Sequence, residues 1–180
     1  MKYVLKNCRD GSPATYPTTV DISEKDGRLT FLFTCENTQY YCPHSNYNDI
    51  HSEGDACEVL IGTDPRRKEY YEIEISANGL LMTALMVNHG FDETGEPQLD
   101  IHFVDVPFVD GRVEKTENGY IAEVSFDKSK IYSGEGEVYF NAYRLETDGG
   151  EMDKHLFALS PTHRPKFHDP DYFPYLKDYV

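Results

Sequence analysis

The chain has 180 residues, with 17 Lys or Arg against 32 Asp or Glu, a formal charge of −15 at pH 7. A single domain, residues 1–180, fits that length, and a chain this size can hold a core without covalent staples. The negative field repels phosphate backbones and anionic lipid, so nucleic acid and membrane surfaces are not expected as partners; 39% hydrophobic and 13% aromatic content is too rich for disorder.

No apolar run reaches the roughly 20 residues of a membrane-spanning helix. The first ten residues contain no apolar leader core, so the expectation is a cytoplasmic protein; the alternative is secretion with a leader removed. Cys8, Cys35, Cys42 and Cys57 allow three pairings, and without a leader to mark an oxidising compartment they are expected to be mostly reduced.

Taken in chain order, the dominant period is two. Candidate strands fall at 18–22, 29–35, 56–62, 69–75, 80–88, 100–106, 112–116, 120–126, 138–143 and 154–160. Leu29, Phe31, Phe33 and Cys35 share one face, and Tyr71, Ile73 and Ile75 alternate with Tyr70, Glu72 and Glu74. Such alternation marks half-buried antiparallel strands, since buried parallel strands read as continuous apolar runs. Asp26-Gly27, Asn78-Gly79, Asp110-Gly111, Asn118-Gly119 and Asp148-Gly149 supply turn signals between them. Residues 127–131 make at most one helical turn, 91–98 read as a mobile loop, and the tail 161–179 reads as irregular. The fold expected is all-β: an antiparallel, jelly-roll-like β-sandwich of about ten strands.

No nucleophile elbow, zinc-protease helix or phosphate-binding glycine loop is present. With 32 acids, chance pairs of carboxylates carry no hydrolase signal of their own. Cys42, His44, His51 and Cys57 lack the tight spacing of a structural zinc site, and His163, His168 and Asp169 read as loop residues. Asp92, Glu93 and Glu96 could offer oxygens to calcium, but without an ordered loop motif the default is a solvated acidic turn. The feature that stands out is tyrosine: Tyr40, Tyr41 and Tyr47 crowd a polar stretch containing Asn37, Gln39, Asn46 and Asn48. A tyrosine offers a flat apolar face and a polar tip, suited to sugar rings or peptides, although such a loop can also be pinned by its own aromatics.

Five runs in order resemble the family-9 carbohydrate-binding modules. They are the segment from His51 through Asp55, Glu58 and Ile61; Tyr70-Tyr71-Glu72-Ile73-Glu74-Ile75 leading to Asn78-Gly79; Gly119-Tyr120-Ile121-Ala122-Glu123-Val124; Tyr139-Phe140-Asn141-Ala142-Tyr143-Arg144; and Ser160-Pro161-Thr162 with Phe167-His168-Asp169-Pro170. The resemblance spans residues 18–177. It implies an antiparallel β-sandwich that holds a sugar between two aromatic rings, with polar side chains on the hydroxyls. Phe167 falls where one ring would sit, Glu58 matches a sugar-contacting acid, and Tyr143 matches a polar contact. The second ring position is Ser52, with His51 or Tyr47 as candidates to stand in for it. Leu159 and Pro174 replace a usual Trp and Gly.

The pleat supports this placement. Cys57, Val59 and Ile61 form one face of their strand, and Val138, Phe140 and Ala142 one face of theirs, so Glu58, Asn141 and Tyr143 are expected together on a solvent-facing patch. The expected function is non-catalytic carbohydrate binding linked to polysaccharide or oligosaccharide breakdown, through Glu58, Asn141, Tyr143, Phe167, Tyr47 and His51. No cofactor is expected, a structural calcium being the exception. The alternatives are a carbohydrate-active hydrolase using carboxylates in the same groove, or a haem-binding relative using Met82, Met86 and His89, residues for which core packing is the simpler role.

Overall fold

The structure is a computed structural model and describes residues 1–49, 53–104, 109–131, 136–150 and 154–180. Among the described residues twelve strands run β1 (Lys2–Val4), β2 (Lys6–Asn7), β3 (Thr18–Lys25), β4 (Arg28–Glu36), β5 (Ala56–Gly62), β6 (Glu69–Ser76), β7 (Leu81–Phe91), β8 (Pro97–Phe103), β9 (Val109–Thr116), β10 (Gly119–Asp127), β11 (Tyr139–Glu146) and β12 (His155–Ala158). They form a five-stranded sheet, β1-β3-β4-β10-β9, and a seven-stranded sheet, β2-β12-β11-β5-β6-β7-β8. Every pairing is antiparallel. The chain passes between sheets after β1, β2, β4, β8 and β10, giving the expected β-sandwich.

Alternation explains the layers. Leu29, Phe31, Phe33 and Cys35 of β4, with Tyr120, Ala122, Val124 and Phe126 of β10, bury against Cys57, Val59 and Ile61 of β5, Ile73 and Ile75 of β6, and Phe140 and Ala142 of β11. Phe31 meets Phe126 and Phe140 at ring-centroid distances of 6.0 and 5.7 Å. Each such side chain contributes about 1.5–3 kcal/mol by leaving water. At one end of this core, Arg144 is wholly buried, donating to Thr18 Oγ1 at 2.8 Å and to the Glu36 carbonyl at 3.1 Å, and pairing with Glu146.

Three expectations need correction. Asp110-Gly111 is not a turn but part of β9, opposite Ser125 and Val124; a Cβ on Gly111 would stand 2.8 Å from Leu81 and 2.9 Å from Ile75, so glycine is there for close packing between sheets. Residues 91–98 are not a loose loop. β7 and β8 run into them, and the Asp92 carboxylate caps the hairpin turn by accepting from the Thr94 and Glu96 amides at 2.8 and 3.0 Å. The seven-stranded sheet is also buried on both faces at its centre, because the C-terminal segment packs across its outer side. The expected single helical turn is a 3-10 turn at Lys128–Lys130, and two more, Pro170–Tyr172 and Leu176–Asp178, punctuate the tail.

Candidate functional site

The outer face of the seven-stranded sheet carries a second apolar cluster, built from Leu60, Tyr70, Met82, Ala84, Met86, Tyr139 and Tyr143 and covered from the tail by Phe167 and Phe173. Glu58, Glu72 and Glu74 are set into this apolar surface. Register makes them neighbours: Glu58 pairs with Tyr143 on one side and Glu74 on the other, while Leu60 pairs with Asn141 and Glu72. Successive outward positions on β5 and β6 therefore place three carboxyls side by side.

Glu58, Asn141 and Tyr143 do share a face, but that face is not open to solvent. Asn141 and Tyr143 are fully buried and Glu58 is 5% exposed. Their polar atoms are also committed. Asn141 Nδ2 donates to Tyr143 Oη and to the Ser160 carbonyl, each at 2.8 Å, and its Oδ1 accepts from the Ser160 amide at 3.0 Å. Tyr143 Oη donates to the Phe167 carbonyl at 2.8 Å. The physical reason is the tail: its aromatic residues find more apolar area on this face than in water, and the polar groups beneath must pair with its backbone. Phe167, 8% exposed, lies over Tyr143 at 4.2 Å between ring centroids.

The tail also delivers His168, a loop residue by sequence. Its Nε2 faces Glu72 Oε1 at 3.6 Å, and its Nδ1 shares a hydrogen bond with Tyr70 Oη at 3.0 Å. Asn88 Nδ2 ties this arrangement down, donating to Tyr70 Oη and the His168 carbonyl, both at 3.1 Å. Burial, the charge of Glu72 and a hydrogen bond to it push Glu58 well above the ordinary carboxyl range; Glu74 is raised likewise by burial and by the charges of Glu72 and Glu58. Burial lifts Glu72 only to about 7, because hydrogen bonds from Glu58 and Glu74 favour its charged form. Burial lowers His168 to about 4, leaving a neutral imidazole. Glu58 Oε1 and Glu74 Oε2 have no hydrogen-bond partner.

Other sequence candidates lie elsewhere. Tyr47 is 42% exposed, and its hydroxyl bonds Thr83 Oγ1, on the side of β7 opposite Met82 and Ala84. It does not join the Glu58 group. His51 lies outside the described residues, as does Ser52. Tyr40 packs edge-on against Tyr120 at 5.5 Å, so part of the tyrosine-rich stretch is pinned by its own aromatics. Cys57 faces Cys35 in the core while Cys42 lies against the Asp55 carbonyl, so the Cys42/His44/Cys57 set does not converge. Asp92 spends its Oδ1 on its own turn. Met82 and Met86 are packed in the outer cluster, and His89 pairs with Asp100 at 2.9 Å. Glycosidase carboxyls stand about 5–10 Å apart across the scissile bond; Glu58, Glu72 and Glu74 are instead linked to one another through Glu72.

Glu72, Glu74, His168 and Asn88 were not among the sequence candidates. Strict alternation assigned the two acids to solvent, and nothing local to β6 shows that the far end of the chain covers them.

No protein-family model matches the chain, and no curated protein matches it. Solved structures do. A protein from Bacteroides uniformis ATCC 8492 to which carbohydrate binding has been attributed superposes with a TM-score of 0.75 at 14% identity, over 97% of this chain and 84% of that one. A carbohydrate binding module of family 9 from Caldicellulosiruptor kristjanssonii, in complex with glucose, gives 0.62 at 10% identity over 96% and 82% of the two chains. The family 9 module from that organism in complex with cellotriose gives 0.64 at 10% identity over 96% and 80%. The chain therefore carries the fold of the family 9 carbohydrate binding modules.

Proposed function

We propose that this protein is a non-catalytic carbohydrate-binding domain that receives a sugar at the outer face of the seven-stranded sheet. The reading is supported by a fold shared along nearly the whole chain with modules solved with glucose and cellotriose. On that face, Glu58 and Glu74 each have one buried oxygen without a partner, which a hydroxyl meets only beneath the C-terminal cover, and the Phe167 ring, at the edge of that cover, provides the apolar contact. Asn141 and Tyr143 act from beneath, holding Phe167 in place.

The test is calorimetric titration of a panel of mono- and oligosaccharides against wild type, Phe167→Ala and Glu58→Gln, with chelator present throughout. Binding to wild type that falls at least about tenfold in both variants is expected, the loss of a stacking face or of one hydrogen-bonding carboxyl being worth about 1.4 kcal/mol or more. Undiminished binding in both variants would move the site off this face, and no binding to any sugar by folded wild type would overturn the function.

A further inference from the structure

Around Glu72, two carboxyls and an imidazole converge. One oxygen each of Glu58 and Glu72 and one ring nitrogen of His168 lie within 4.8 Å of one another. His168 Nε2 and Glu72 Oε1 face each other at 3.6 Å, beyond hydrogen-bond reach. Two ligands held about 2.0–2.2 Å from one tetrahedral ion are themselves about 3.3–3.6 Å apart, so this spacing suits a shared centre. Glu58 contributes an independent sign: it is 5% exposed and its Oε1 has no partner, a cost that buried acceptors rarely bear.

The imidazole is held as a metal-binding imidazole is held. Nδ1 is fixed by Tyr70 Oη, and Asn88 clamps both Tyr70 Oη and the His168 carbonyl. That leaves Nε2 aimed at the carboxyls, with its orientation set by an outer ring of hydrogen bonds. We propose that Glu58, Glu72 and His168 form a binding site for a divalent transition-metal ion of the zinc class.

The donor set selects the ion. Calcium takes six to eight oxygens and magnesium keeps most of its water, so neither suits two buried carboxyls and an imidazole. Zinc, and with lower affinity manganese or cobalt, accepts this mixture and a fourth ligand from water. Binding displaces the proton that burial keeps on Glu58, and the two carboxylates then balance the ion's charge. Glu74, beside Glu72, is not one of the three. Glu58 belongs both to this set and to the proposed sugar face, and because the titration uses metal without sugar the two readings fail separately.

Untagged protein, stripped with chelator, is titrated with zinc by calorimetry and separately loaded with cobalt(II). One zinc per chain is expected, with visible d–d absorption from the cobalt form and one nitrogen and two carboxylate oxygens in its X-ray absorption spectrum. The isosteric Glu72→Gln and Glu58→Gln variants should each bind at least about 100-fold more weakly, and Tyr70→Phe about 10-fold more weakly, as loss of an outer hydrogen bond typically does. The wild-type cobalt spectrum makes the result independent of whether any variant folds. Absence of zinc binding and of d–d bands in wild type would overturn the site, as would equal zinc affinity in wild type and a folded Glu72→Gln protein.

Discussion

Tyr143 and Phe167 hold each other twice: their rings stack at 4.2 Å with 24° between planes, and the tyrosine hydroxyl donates to the phenylalanine carbonyl at 2.8 Å. One residue belongs to a central strand and the other to the tail, so this pair fastens the C-terminal cover to the sheet.

Removing only the hydroxyl separates the two contacts. Tyr143→Phe keeps the stacked ring but leaves the Phe167 carbonyl without its donor and costs Asn141 one acceptor; a loss of about 1–3 kcal/mol is expected in urea denaturation. Phe167→Ala, which removes the ring, should cost about 3–5 kcal/mol. Hydrogen exchange should show the loosening in residues 161–173 while β4 and β10 stay protected. Unchanged exchange in the tail of Tyr143→Phe would show that the hydroxyl does not fasten it.

A second fastening point lies at Asp55, which is fully buried at the start of the strand that carries Glu58. Its Oδ1 accepts from the Thr147 amide and hydroxyl at 2.6 and 2.7 Å, and its Oδ2 from the Tyr41 amide at 2.5 Å. Asp55 thus ties the segment before β5 to the turn after β11. Hydrogen bonds to a charged acceptor are each worth about 1.5–3 kcal/mol, so Asp55→Ala should lose more than about 3 kcal/mol and Asp55→Asn a smaller amount. Equal denaturation midpoints for Asp55→Ala and wild type would remove this role.

The sandwich core was legible because Leu29, Phe31, Phe33 and Cys35 obey a period of two with nothing to confuse it. Asp110-Gly111 was misread because the same glycine that marks a turn is what a strand needs when Leu81 and Ile75 crowd it from the facing sheet. The site was half legible. Glu58, Asn141 and Tyr143 could be placed on a common face from their own strands, but whether that face meets water depends on Phe167, His168 and Phe173, whose irregular segment has no period to read. Glu72 and Glu74 disappeared into an ordinary polar face for that reason. Arg144 and Glu146 illustrate the other limit: a charged pair at the end of a strand looks solvated until the opposite sheet closes over it.

The cysteines make a chemical prediction. Cys35 and Cys57 touch across the two sheets with their sulfurs 3.4 Å apart, well beyond the roughly 2.05 Å of a disulfide, and all four thiols are free. Cys8 is buried against Thr162, with Sγ 3.2 Å from its hydroxyl, whereas Cys42 is partly exposed. Burial and the charge of Asp55 raise the Cys42 thiol, so its reaction should be slow at neutral pH and quicken as pH rises. A thiol-specific aromatic disulfide reagent should label Cys42 alone in the native protein and all four residues after unfolding, with mass spectrometry locating the adduct. Rapid labelling of Cys35 or Cys57 under native conditions would contradict their burial between the sheets.

The tyrosines predict how stability changes in alkali. Tyr16 donates to Asp148 Oδ1 at 2.6 Å, and that hydrogen bond, with some burial and the charge of Asp148, pushes its phenol up to about 12. Burial does the same for Tyr139, also to about 12, and raises Tyr120 further still. In the unfolded chain these phenols ionise near 10. Between pH 10 and 12 the unfolded state therefore binds fewer protons than the native one, so the stabilisation these groups supply is complete below pH 10 and is lost as pH rises through 12. Absorbance at 295 nm should show a fraction of the 14 tyrosines, Tyr16, Tyr120 and Tyr139 among them, ionising late, toward 12 and beyond. Tyr16→Phe should remove one phenol from the delayed fraction and flatten the fall in stability over that interval. A single transition near pH 10 covering every tyrosine, while circular dichroism still reports the native sandwich, would show that neither the Asp148 bond nor burial protects them.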